Sequence, residues 1–123
     1  MTIPTLDNVR KMADEASLIP ISRKILADLE TPLSAYIKVR ANGGHTFLFE
    51  SVEGGEKIGR YSFLGVDPFL VFKSRGQAVT LTDLRSGETT SYVAEPIVEL
   101  RRLIHDHRSI PVPGLPRFTG GAV

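Results

Sequence analysis

The sequence predicts an α+β fold, an antiparallel sheet with flanking helices. Three features carry that expectation. Apolar residues recur at helical spacing near both ends, at Leu6, Val9 and Met12 and again at Ile97, Leu100, Leu103 and Ile104. Between residues 45 and 93 they run continuously or alternate with polar residues, the two signatures of strands. Glycine pairs and an Asp-Pro step separate these runs at intervals too short for helical crossovers, which favours antiparallel neighbours.

Taken in order, Thr5 caps a first amphipathic helix over 6–16, with Ala13 and Ala16 continuing the apolar stripe. Leu18-Ile19-Pro20-Ile21 is short and holds a proline, so it reads as an edge strand or an extended entry segment. Thr31-Pro32 supplies a cap and a first-turn proline for a second helix carrying Leu33, Tyr36 and Ile37, which ends near Asn42-Gly43-Gly44. His45 to Val52 is the strongest strand, so apolar at its centre that it reads as covered on both faces. A Gly-Gly loop leads to strands over 60–66 and 69–74, divided at Asp67-Pro68. Val79 to Leu84 and Thr89 to Val93 form a hairpin about Arg85-Ser86-Gly87-Glu88, completing a meander. Pro96 opens a last helix, with Arg101, Arg102, Asp106 and Arg108 on its wet side.

Composition narrows the function classes. A chain of 123 residues that is 41% hydrophobic and 24% charged is an ordinary globular polypeptide, long enough for one core. Its 15 basic and 14 acidic residues are interspersed, leaving a net charge of +1 and no footprint for nucleic acid or an anionic membrane. The absence of cysteine excludes disulfides, thiolate nucleophiles and cysteine-based metal sites, and fits a cytoplasmic setting. No apolar run reaches the length of a membrane span. The sequence closes on a Pro-rich connector, Ile110 to Pro116, and then Arg117-Phe118-Thr119-Gly120-Gly121-Ala122-Val123, which reads as a boundary inside a longer protein.

Few residues offer chemistry. Gly54 to Gly59 approaches a phosphate-binding loop, but Arg60-Tyr61 stand where lysine and a hydroxyl residue are required, and a strand pattern follows where a helix is needed. His105 and His107 are two apart, which points them to different sides of a helix and away from shared metal ligation. Glu50 and Ser51 differ from the rest, because they lie in an apolar strand. Alternation puts Phe47, Phe49 and Ser51 on one face and Leu48 and Glu50 on the other. A carboxylate there is partly desolvated unless paired, and two readings stand: an ion pair with Lys57 or Arg60, or a small ligand whose ammonium meets Glu50.

The blocks Ile25 to Tyr36, Phe47-Leu48-Phe49-Glu50-Ser51-Val52-Glu53-Gly54-Gly55 and Gly59-Arg60-Tyr61-Ser62-Phe63-Leu64-Gly65 closely resemble, in order and spacing, the N-terminal region of anthranilate synthase component I. The segment from Leu115 to Val123 is similar to the stretch leading into that family's chorismate-binding portion, so the resemblance covers essentially the whole chain. It implies an incomplete N-terminal portion of that fold: residues 1–109 as the N-terminal domain, and 110–123 as a connector and the start of a strand. The aminodeoxychorismate synthase component I family of the folate branch shares the architecture and is the alternative, as is a stand-alone amino-acid-binding module.

The resemblance also implies a function for the longer protein. It would convert chorismate and ammonia, delivered from glutamine by a partner amidotransferase subunit (component II), into anthranilate and pyruvate, as a magnesium-dependent lyase of tryptophan synthesis. The catalytic residues and magnesium ligands of the family lie in the C-terminal domain, so this chain alone is expected to be inactive. What this portion contributes is part of the L-tryptophan feedback site, at a Leu-Leu-Glu-Ser motif that stands here as Leu48-Phe49-Glu50-Ser51. A basic residue after the loop completes it, with Arg60 favoured over Lys57. A hetero-oligomeric, cytoplasmic enzyme without nucleic-acid or membrane partners follows from the same resemblance.

Overall fold

The structure is a computed structural model and describes residues 2–50 and 61–123. Among these described residues ten elements follow one another: β1 (Thr2–Ile3), α1 (Leu6–Met12), β2 (Ser22–Arg23), α2 (Pro32–Arg40), β3 (Phe47–Glu50), β4 (Ser62–Gly65), β5 (Leu70–Arg75), β6 (Ala78–Asp83), β7 (Thr89–Val93) and α3 (Pro96–Asp106). The α+β class is thus as the sequence predicts. Among the described residues, three separate small sheets replace the single expected meander: β1 with β2, β3 with β4, and β5-β6-β7 in that order. The break between the second and third sheets falls at Asp67, whose φ is 49°, and Pro68, which has no N–H to extend a ladder.

The chain divides into two compact units. The first comprises Met1–Ile25, Phe72–Thr80 and Ser91–Val123. Thr5 caps α1 by accepting a hydrogen bond from the Asn8 amide. The helix stops at Met12, four residues short of the expected end; the Glu15 and Ala16 amides still donate to the Met12 carbonyl before the chain turns toward Arg108. The Ser17 and Leu18 amides donate to the Arg108 carbonyl, the Ser17 hydroxyl donates to the Asp106 carbonyl, and the Arg108 guanidinium donates to the Glu15 carbonyl. Residues 18–21 accordingly make a single parallel bridge, Leu18 to Ser109, and the strand falls later, at β2. In this unit lie the buried apolar residues Ala16, Val79 and Val112. The hairpin between β6 and β7 is closed here by the Ala94 amide donating to the Gln77 carbonyl. Tyr92 on β7 donates to Glu99 on α3 at 2.6 Å, and Arg102 holds both Glu99 and Asp106. Ile97 and Ile104, predicted to face a core, remain 65% and 52% exposed.

The second unit comprises Leu26–Val71 and Leu81–Thr90. Thr31 and Ser34 form a reciprocal capping box ahead of α2, with Pro32 in the first turn. Positive φ at Gly43 and Gly44 releases the chain from the helix, as expected. The helix packs on β3 and β4, and its Ala35, Tyr36 and Val39 are half-buried. The expected contact residues Leu33 and Ile37 lie on another side and are exposed. In the turn after β6, Asp83 accepts from the Arg85 amide and guanidinium, and the guanidinium stacks 4.9 Å from the Phe69 ring centre. No side chain among the described residues of this unit is fully buried.

Candidate functional site

β3 places three of the five predicted site residues, Leu48, Phe49 and Glu50. Ser51 and Arg60, with Lys57 as the other basic candidate, lie outside the described residues. Four antiparallel pairs fix the register: Phe47 with Gly65, Leu48 with Leu64, Phe49 with Phe63 and Glu50 with Ser62. Residues paired across an antiparallel ladder share a face, so β3 and β4 present two chemically different surfaces. One carries Leu48, Leu64, Glu50 and Ser62, an aliphatic pair beside a polar pair. The other carries Phe47, Phe49 and Phe63, with Tyr61 just ahead of β4. On it the Phe47 and Phe49 ring centres are 5.0 Å apart and tilted by 42°, and Tyr61 lies 6.1 Å from Phe63.

Two expectations are corrected. β3 is not covered on both faces, since Phe49 is 54% exposed and among the described residues the strand pairs with β4 alone. Glu50 is exposed and so is not desolvated. Apolar composition had implied burial, yet it records only what a strand can bury. An exposed carboxylate keeps its hydration until a ligand covers it, and it then exchanges water for a charged donor. Glu50 and Phe49 also point to opposite faces, so one ligand seated on either face meets only one of the two side chains.

Sequence reasoning passed over Leu64, Ser62, Tyr61 and Phe63 as site neighbours. The signal was present in the Tyr61-x-Phe63 alternation, but only the register shows that Phe63 stands opposite Phe49 and Leu64 opposite Leu48. Among the described residues no group of three His, Asp or Glu side chains could hold a cation, and no helix is long and apolar enough to cross a membrane.

Anthranilate synthase component 1 of Synechocystis sp. is 41% identical over 121 residues, which are 98% of this chain and 24% of that protein. The chain is homologous to a portion of anthranilate synthase component 1. Proteins of the same name from Acetivibrio thermocellus and Neisseria gonorrhoeae are 38% and 42% identical, over 100% and 85% of the chain and 24% and 21% of their own lengths. The chain thus spans about a quarter of the relatives it matches. No protein-family profile matches it. In this homologous portion, β3 carries Leu48-Phe49-Glu50 of the motif.

Proposed function

We propose that the chain is the N-terminal, feedback-sensing part of an anthranilate synthase component 1, with residues 1–109 as the sensing region and 110–123 leading toward the chorismate-converting part. The observation that carries this is the 38–42% identity across 85–100% of the chain to proteins of that name. The complete enzyme joins ammonia, released from glutamine by a component II partner, to chorismate and yields anthranilate and pyruvate. Magnesium and the catalytic residues belong to the part not spanned here, so these 123 residues alone do not turn over chorismate. The hetero-oligomer acts in the cytoplasm.

L-Tryptophan is the ligand of the sensing region. Glu50, exposed at the end of β3, is suited to receive an ammonium group, and Ser51 follows it in sequence. Arg60 supplies a cation for the carboxylate, and Leu48 offers apolar surface on the face it shares with Glu50, with Phe49 on the opposite face. Charge-assisted hydrogen bonds of this kind contribute roughly 1.5–3 kcal/mol each, enough for tenfold or more in affinity. Inhibition follows if tryptophan binds better to a state that handles chorismate poorly, which is a coupling free energy between two sites.

The test is Ser51→Phe in the complete enzyme. Tryptophan inhibition weakens by about tenfold or more while uninhibited turnover of chorismate stays within about twofold, and unchanged inhibition removes Ser51 from the site.

A further inference from the structure

We infer that the pocket bounded by β1, by the side of α1 that carries Asn8 and Lys11, and by the connector at Val112 binds a small carboxylate with an apolar ring body and no amine. The pocket offers about 470 Å³, within the range of sites that hold small organic molecules. Its lining is mostly apolar: Pro4 and Val112 are buried, and Ile3 and Met12 are half-buried. Asn8, Lys11 and Met12 stand three and four residues along α1 from one another, so they share one side of the helix. All the lining residues belong to the first unit, whereas β3 belongs to the second, so this pocket shares no residue with the Glu50 motif.

Charge selects the ligand. Among the described residues, neither the Lys11 ammonium nor the Asn8 side-chain amide has a hydrogen-bonding or ion-pairing partner, and no carboxylate lines the pocket. Arg10, on a neighbouring side of α1, is instead held by Asp7. One ammonium beside an apolar wall, with an amide to donate a second hydrogen bond, matches one carboxylate joined to one apolar body. A phosphate ester would bring about two negative charges to a single cation and would gain nothing from the apolar lining. A zwitterionic amino acid fits no better, because its ammonium would lie close to that of Lys11 with no acid there to receive it. The pocket therefore takes an amine-free carboxylate, the opposite requirement to the ammonium acceptor at Glu50. Either site can fail while the other stands.

Indolepropionate, which is tryptophan without its amine, is the probe. Titrated into the isotope-labelled 123-residue chain, it shifts the backbone amide resonances of Asn8, Met12 and Val112 saturably, with a dissociation constant below about 5 mM. Its uncharged primary amide binds about fivefold or more weakly, and L-tryptophan is weaker by a similar factor at the same resonances. Lys11 is exposed on α1, so Lys11→Met and Lys11→Arg leave the far-UV circular dichroism unchanged. Lys11→Met reduces the acid to the affinity of its amide and keeps the amide within about twofold, while Lys11→Arg retains the preference for the acid. Equal affinity for acid and amide overturns the proposal, as does binding weaker than about 5 mM or an acid preference that survives Lys11→Met. Shifts confined to Leu48, Phe49 and Glu50 place the probe on β3 and overturn it too.

Discussion

Phe47 lays its ring across the backbone of Gly65. The two residues are paired across β3 and β4, and a methyl group built on Gly65 would come within 2.0 Å of the Phe47 ring. The glycine here serves close approach and not an unusual dihedral, because its φ is not among the positive ones. Gly65→Ala therefore forces the Phe47 ring out of place, and with it the contact to Phe49. The expected cost is about 1–3 kcal/mol by denaturant unfolding. Phe47→Leu in the same chain should recover part of that loss, so the two effects are not additive. Additive losses would show that the ring is not what excludes the methyl group.

The capping box of α2 gives a second expectation. Thr31 accepts from the Ser34 amide at 3.1 Å while the Ser34 hydroxyl accepts from the Thr31 amide at 2.9 Å. Thr31→Ala removes the first of these bonds, costing about 1 kcal/mol and reducing ellipticity at 222 nm, while Thr31→Ser preserves both. Equal effects of alanine and serine would mean that the cap contributes nothing to helix stability.

These helix ends were legible in the sequence because their causes are local. Thr31-Pro32 and Pro96 act through their own turns, and the Gly43-Gly44 pair needs no distant partner to end α2. The two-residue strands β1 and β2 were not legible, since their only cause is pairing between segments about twenty residues apart. Phe47-Leu48-Phe49 announced a strand correctly but said nothing of what covers it, which depends on neighbours elsewhere. At the candidate site the motif located Glu50, and alternation separated it from Phe49. The opposing residues Leu64, Ser62 and Phe63 required the register, because a one-residue slip would exchange every face.

Glu99, with Asp83 and Glu30, should contribute to acid sensitivity. The Arg102 guanidinium, and then the Tyr92 hydroxyl, hold the Glu99 carboxyl well below the usual carboxylate range, at about 2. A folded value below the unfolded one means that the stabilisation is fully present above about pH 4.5 and is lost as pH falls toward 2. Glu99→Gln keeps an acceptor for Tyr92 and removes the charge, so the variant is less stable than wild type at pH 7. The gap narrows as unfolding is followed from pH 5 down to 2, and a gap independent of pH would place the loss in packing. At the alkaline end the same carboxylate pushes the Tyr92 phenol above its ordinary value. That contribution is present below pH 10 and lost as pH rises through the elevated value. In an ultraviolet titration, Tyr92→Phe should remove a tyrosine ionisation that lies above the ordinary value.

The division of faces makes the tryptophan reading sharper. A ligand whose ammonium meets the Glu50 side chain lies on the face of Leu48, Leu64 and Ser62, so its apolar body packs on the aliphatic pair and not on the phenylalanine rings. In the complete enzyme, Glu50→Gln should therefore weaken tryptophan inhibition by about tenfold or more, through loss of a charged acceptor. Leu48→Ala and Leu64→Ala should each weaken it severalfold, by removing apolar contact. Phe49→Leu faces the other way and should leave inhibition within about twofold. It should cost under about 1.5 kcal/mol of stability as the ring contact with Phe47 is lost. Dose-response curves for the four variants decide the matter. A shift in Phe49→Leu as large as that in Glu50→Gln would mean that the ligand sits against the aromatic face, and that Glu50 reaches it only from the strand's end.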